Sequence, residues 1–321
     1  MKLATFEHQG TRRIGAVSAD LDSVVVLAQG DDHPALRDMQ SLIEGGDEAL
    51  ALARQIEQAP PSGARLALGA VRLLSPVPVP IQIRDFLVSE KLFRQARAQN
   101  LRLRCEGLAD PEEAFRKGIE QGICNPPPVW YEQPIYYKAN RFTVIGTETD
   151  IEWPAYARLM DYELELGMFI GRTGRDIGRA DANAHVFGYT IFNDMTSRDA
   201  MNREVVVGLG PAKGKDFDTG NVIGPWIVTA DEIPDPGALK MTVRINGEFR
   251  SSGSIAEMHH SFEDMIVHVS KAETLYAGEF FGSGTIGDGS GQEHGIYLTP
   301  GDVIEFEVER IGILRNRIVK R

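Results

Sequence analysis

Two glutamates one residue apart, Glu163 and Glu165, stand in the run Asp161-Tyr-Glu-Leu-Glu-Leu-Gly-Met-Phe-Ile170. The run alternates charged and apolar residues, which is the period of a strand. Side chains two apart on a strand share a face. Glu163 and Glu165 are therefore expected side by side, with Leu164, Leu166 and Met168 packed the other way. Adjacent carboxylates raise each other's pKa unless something positive lies between them. A divalent cation is such a partner, and oxygen-only ligands favour Mg2+, Mn2+ or Ca2+ over zinc. Asp194 offers a third carboxylate. It follows the strand-like run 186–192 at a strand-to-loop junction, where functional residues concentrate. The bland alternatives are a solvated strand face for the glutamates and a helix cap for Asp194.

Cations stand close by in sequence. Arg198 and Asp199 follow Asp194 in the same loop, where they could also pair with each other or with surface charge. Lys215 sits in the Gly-rich segment 208–220, which could cradle an anion. That segment lacks the spacing of a P-loop, so nucleotide binding is disfavoured. None of the seven histidines has a zinc-site spacing. No G-x-S-x-G element argues for a serine hydrolase.

These residues need elements to hold them. The chain has 321 residues with 42% hydrophobic content, enough for one large domain or two modest ones. Residues 1–75 read as a small α+β unit: strand-like runs at 2–7, 12–17 and 24–27, then helix-like stretches at 34–44 and 47–58. Prolines at 76, 78 and 80 make a stiff extended linker. Residues 85–128 read as a helical, lid-like insertion, with Asp110-Pro111 as a helix start. From about 129 the pattern is rich in strands, at 161–170, 186–192, 225–229, 240–246 and 302–309. Asn246-Gly247 signals a hairpin, and Ser261 opens a helix over about 261–271. The expected class is α+β, mostly β with helices: a folded sheet with a site at its mouth.

The net charge of −12 argues against nucleic acid or an anionic membrane as partner. No apolar run approaches a membrane span. The first residues have no signal-peptide core, and the two cysteines form no disulfide framework. A cytoplasmic protein with a small-molecule substrate is the expectation.

Taken together, the blocks at 159–171, 188–199, 214–219, 224–228, 282–286, 298–306 and 312–317 resemble the fumarylacetoacetate hydrolase family. The resemblance runs from about Leu73 to Arg321. Residues 1–75 then correspond to the N-terminal domain of longer, bacterial-type members, and 76–321 to the catalytic domain. It implies a β-roll-like catalytic fold, a homodimer, and Mg2+ or Mn2+ held by Glu163, Glu165 and Asp194, with Ca2+ able to replace them in a crystal. Asp85, in the Asp-Phe pair before the lid, matches a fourth ligand. Arg198, Lys215 and Thr219 match the family's Arg, loop Lys and Thr near the metal, and Thr285 matches a Thr that faces substrate. The implied chemistry is cleavage of a carbon–carbon bond in a 1,3-diketo or 2-oxo acid, such as an acylpyruvate, through a metal-bound enolate. Lys215 would add positive charge to the oxyanion. Arg198, or Tyr137 and Lys138, could hold a substrate carboxylate.

The chain departs from the family pattern in its proton-transfer parts. Leu92 stands where longer members carry a lid His, and Met201 stands where a Gln often follows the Arg-Asp motif. Glu90 remains as a candidate base. Hydrolysis is the first expectation. An isomerase, tautomerase or decarboxylase using the same site is the second, and a non-catalytic metal- and ligand-binding relative is the third.

Overall fold

The computed structural model describes residues 1–28 and 33–320. Arg321, the last residue of the expected catalytic unit, lies outside them. The helices are α1 (Met39–Glu44), α2 (Gly46–Gln58), α3 (Glu90–Cys105), α4 (Pro111–Glu120), α5 (Pro128–Glu132), α6 (Arg198–Glu204) and α7 (Phe262–Ser270). The architecture is α+β, as the periodicity predicts. Among the described residues no helix is long and apolar enough to cross a membrane.

One long sheet carries the site. Its central order is Lys2–His8, Asn221–Thr229, Val186–Asp194, Leu164–Ile170, Phe280–Gly282, Ile83–Phe86 and Tyr136–Ala139. The strands of the first 75 residues do not close on themselves. Lys2–His8 pairs antiparallel with Asn221–Thr229, with Leu3 opposite Ile227, so hydrogen bonding runs across the boundary at 75. A second sheet orders Glu248–Gly253, Met241–Ile245, Val303–Val308, Gly312–Val319 and Ile151–Glu152. Its hairpin turns at Asn246 and Gly247, both with positive φ (55° and 79°), as the Asn-Gly pair requires.

The central strand Leu164–Ile170 is buried along its whole length. Leu164, Leu166 and Met168 pack into the core shared with Val243 and Phe306. Phe169 packs on the opposite face with Phe192, Phe280, Ile83 and the α1 residues Met39 and Leu42. That second face changes character along the strands. Two residues beyond Phe192, Ile83 and Phe280, it presents Asp194, Asp85 and Gly282. An apolar floor thus ends in an acidic rim.

The lid begins directly after Ile83–Phe86. Ser89 caps α3, its side chain accepting from Leu92 N, and Asp110 caps α4 with Pro111 in the first turn. The root of the lid is fixed by Trp130, whose indole donates to Leu87 O at 2.6 Å.

Candidate metal centre and active site

Strand register brings the four carboxylates together. Glu165 lies opposite Phe192 in the antiparallel pair, and Asp194 N donates to Glu163 O at 3.3 Å. On the other side Gly167 pairs with Gly282, and Gly282 pairs in parallel with Asp85. Oxygens of Asp85, Glu163, Glu165 and Asp194 lie within 4.8 Å of one another, and all four residues are buried. Glycine at 282 is a condition of this arrangement. A Cβ there would come within 2.5 Å of Asp85 Oδ1 and 2.7 Å of Glu165 Oε2.

The quartet fits a hard divalent cation on three counts. It is oxygen-only, with no His or Cys among its members. Asp85 Oδ1 and Asp194 Oδ1 are buried without a hydrogen-bond donor among the described residues. The cradle between Asp85 and Glu165 exists only because residue 282 has no side chain. Asp85, Glu163, Glu165 and Asp194 would hold Mg2+ or Mn2+.

Two cations already face the quartet. Lys215 Nζ lies 2.6 Å from Glu163 Oε2 and also pairs with Asp194 Oδ2. Arg198 bridges Asp161 and Glu163, 2.7 Å from each. Burial disfavours the charge on Lys215, but Asp194 and Glu163 outweigh it and hold the ammonium well above its usual pKa. Burial likewise opposes ionisation of Glu163, but Arg198 and Lys215 outweigh it and hold the carboxyl below its usual range. The other three go the opposite way. Burial, reinforced by Asp85, pushes Glu165 well up. Burial raises Asp85, and it raises Asp194 despite Lys215. Without a divalent ion these carboxyls hold their protons to a higher pH than ordinary carboxyls do, and an arriving ion competes with those protons. Calorimetric titration of Mn2+ into the metal-free protein, in buffers of different ionisation enthalpy, is therefore expected to report net proton release on binding. A buffer-independent enthalpy would show the quartet already fully ionised.

The remaining expected residues divide. Tyr137 lies opposite Asp85 in register, and its hydroxyl donates to Asp194 Oδ2 at 2.8 Å. Thr285 Oγ1 is 3.4 Å from Glu165 Oε1. It follows Gly284, whose positive φ (78°) turns the chain so that its N–H donates to Glu165 Oε2 at 2.9 Å. Lys138 does not join the site. It alternates to the other face of the strand, is more than half exposed, and lies 3.8 Å from Glu273. Thr219 does not reach the carboxylates either, because its hydroxyl accepts from Glu152 N at 2.9 Å. Glu90 sits at the first position of α3, turned away from the cavity. Arg94 (2.7 Å) and Tyr131 (2.9 Å) hold it, and the Arg94 and Tyr131 hydrogen bonds keep its pKa low. Leu92 does line the cavity, as does Met201.

Asp161 is a residue for which sequence reasoning assigned no role. It is fully buried and accepts from Arg198 Nε (2.8 Å), Gly291 N (2.8 Å) and Gln292 N (2.9 Å). It therefore orients Arg198 and the loop bearing Gln292. The signal was available: Asp161 is two residues before Glu163 in the same alternation. Glu204 was also missed. Its carboxylate accepts from Ala212, Lys213 and Gly214 N–H at 2.7–2.9 Å, shaping the loop that delivers Lys215.

Fold and site together define a class: an α+β protein with an oxygen-only centre for a divalent cation at the floor of a cavity. Residues 104–319 match the family described as fumarylacetoacetate (FAA) hydrolase, C-terminal. Oxaloacetate tautomerase YisK of Bacillus subtilis (strain 168) is 33% identical over 332 residues, covering 99% of this chain and 100% of that protein. The structure of the fumarylacetoacetate hydrolase from Exiguobacterium antarcticum superposes with a TM-score of 0.74 at 28% identity, covering 100% of both chains. Maleylpyruvate hydrolase from Sphingobium sp. SYK-6, in complex with manganese(II) and pyruvate, has a TM-score of 0.72 at 26% identity, covering 100% and 99%. The chain belongs to the fumarylacetoacetate hydrolase family, and it is a metal-dependent enzyme of that family.

Proposed function

We propose that the protein is a keto–enol tautomerase of small 2-oxo acids of the oxaloacetate type. The observation that carries this reading is the lid wall. Leu92 faces the cavity, Glu90 is turned away from it, and among the described residues no histidine lines it. Hydrolysis needs a group that activates water. Tautomerisation uses no nucleophilic water: solvent in the cavity takes one proton from the carbon beside the oxo group and the oxo oxygen gains one, with no heavy-atom σ bond made or broken. The full-length likeness to a protein named oxaloacetate tautomerase supports the same choice.

The chain's own residues suit that task. Lys215, buried and held protonated, places a fixed positive charge where negative charge develops on oxygen. Burial, with Asp194 beside it, holds the Tyr137 hydroxyl well above its usual pKa, so it stays a donor. Thr285 and Gln292 add polar contacts on the cavity wall. A divalent ion held by the quartet would supply Lewis acidity at the oxo oxygen. The proton can exchange with solvent through the cavity mouth.

Carbon–carbon hydrolysis, the first expectation from sequence, becomes the second reading, supported by the likeness to maleylpyruvate hydrolase. One experiment separates them. Oxaloacetate enol absorbance should decay faster with Mn2+-loaded protein, with no release of CO2, while an acylpyruvate should yield no carboxylic acid fragment. Fragment release from the acylpyruvate at a rate matching or exceeding oxaloacetate turnover would reverse the order.

A further inference from the structure

Beneath the lid lies a buried carboxylate that the chemistry of the site does not use. Glu293 is 9% exposed. Its partners are three donors of its own loop: Asp288 N at 2.8 Å on Oε1, and Ser290 N (2.9 Å) and Ser290 Oγ (3.0 Å) on Oε2. Burial pushes the carboxyl up to about 7, and the hydrogen bonds from Asp288 and Ser290 act against that rise. A carboxylate is costly to bury unless it is held by such bonds.

What Glu293 grips is the crest of the loop 284–292. That loop is pinned to the strand Leu164–Ile170 on either side of Asp288. Ile286 N donates to Leu164 O at 3.1 Å, and Gly289 O accepts from Leu164 N at 3.0 Å. Asp288 stands between these pins with a positive φ of 64°, uncommon for a residue with a side chain. Its N–H is the one that Glu293 Oε1 takes.

The crest in turn carries the lid. Asp288 Oδ2 pairs with Lys91 Nζ at 2.5 Å, and Asp288 Oδ1 accepts from Gln95 Nε2 at 3.0 Å. The Lys91 stem lies on the backbone of Gly287, where a Cβ would come within 2.6 Å of Lys91 Cδ. Lys91 and Gln95 are one turn apart on α3, on a different side from Leu92, Phe93 and Ala96, which line the cavity. Further along, Asn100 accepts from Gln292 Nε2 of the same loop at 3.0 Å. The rotation of α3 that turns Leu92 inward is therefore the one that seats Lys91 and Gln95 on Asp288.

We infer that Glu293 is a positioning residue for the lid: it holds Asp288 from below in the conformation that seats Lys91 and Gln95, and so fixes which side of α3 forms the cavity wall. A carboxylate suits this place because both of its oxygens accept. An amide at 293 would turn its NH2 towards the N–H of either Asp288 or Ser290, leaving two donors face to face.

The test is hydrogen exchange of the α3 amides at pH 8, with α7 as internal reference, in the Mn2+-loaded protein, Glu293→Gln, Lys91→Gln and the double variant. Glu293→Gln should speed α3 exchange about tenfold, and Lys91→Gln about threefold. The double variant should reach about tenfold rather than about thirtyfold, because the Lys91 contact is already lost in Glu293→Gln. Exchange of α7 and affinity for Mn2+ should stay within about twofold of the parent throughout. Glu293→Asp, which keeps the acceptors and loses the shape, should protect α3 better than Glu293→Gln, which keeps the shape and loses an acceptor. Multiplying effects in the double variant overturn the assignment. So do parent-like α3 exchange in Glu293→Gln, equal loosening of α3 and α7, parallel loss of Mn2+, or better protection by Gln than by Asp. Should Glu293→Gln fail to fold, Ser290→Ala, which removes one of the three donors, takes its place in the cycle: effects that do not multiply with Lys91→Gln support the assignment, and effects that do overturn it.

Discussion

Glu165→Gln is expected to lose Mn2+ binding and metal-stimulated turnover, while its metal-free form gains stability relative to the metal-free parent as pH rises. Glu165 is fully buried, close to Asp85 and Asp194 in the quartet, and its carboxyl is pushed well up by burial and by Asp85. A folded-state pKa raised above the unfolded value means the native state holds the extra proton. The stability this contributes is present at low pH and is lost as pH rises through the folded pKa. Glutamine has nearly the same shape and no proton to lose. Its amide can also donate to Asp85 Oδ1 or Asp194 Oδ1, which lack donors. In EDTA the stability of the parent should fall relative to that of the variant as pH rises, so that the melting temperatures separate progressively in favour of the variant. Turnover with Mn2+ should fall by about two to three orders of magnitude. Retention of Mn2+-dependent turnover would remove the quartet from the reaction.

The second large effect concerns Lys215. Lys215→Met should lower kcat by about 10²–10³-fold without weakening Mn2+. Nζ pairs with Glu163 and Asp194, so in the metal-free protein it occupies the same carboxylates that a divalent ion would use. Its removal leaves two buried carboxylates less compensated, a loss of about 3–5 kcal/mol for the metal-free form. Mn2+ should recover much of that loss and bind at least as tightly as in the parent. The split is the diagnostic. A lysine that merely neutralises the empty quartet would show unchanged kcat once Mn2+ is saturating. A lysine that stabilises an oxyanion shows the loss at any Mn2+ concentration.

Much of the site was legible from residue order. Period two put Glu163 and Glu165 on one face, and the same period could have added Asp161 and separated Tyr137 from Lys138. Neighbours on one strand face opposite ways, so those two cannot both enter the cavity. The Asn246-Gly247 hairpin and the Ser261 capping box with Asp264 also follow from local chemistry. Thr219 was misplaced because a residue four positions from Lys215 in an irregular loop has no periodicity to fix its direction.

The lid shows where local reading stops. Helical spacing predicts that Glu90 and Arg94 share a side, as they do at i and i+4. It does not say which side meets the cavity. That was decided by packing: Tyr131 of α5 holds Glu90 outward, while Gln292 takes hold of Asn100 from within.

What residue order determined by itself is therefore the α+β class, part of the helices and strands, and the oxygen-only character of the metal centre, because these rest on short periods and on side-chain chemistry. The strands Ile83–Phe86, Tyr136–Ala139 and Phe280–Gly282 that flank the site were not among those read, and Asp85 and Phe86 lie in a strand rather than in the helical insertion. Tertiary structure alone decided that Asp85 meets Glu165 across Gly282, and that the strands of the first 75 residues extend the same sheet. It also decided that Leu92, rather than Glu90, faces the substrate cavity. Each of these depends on strand order or helix rotation between segments far apart in the chain. Burial of apolar faces, rather than any local propensity, selects among such alternatives.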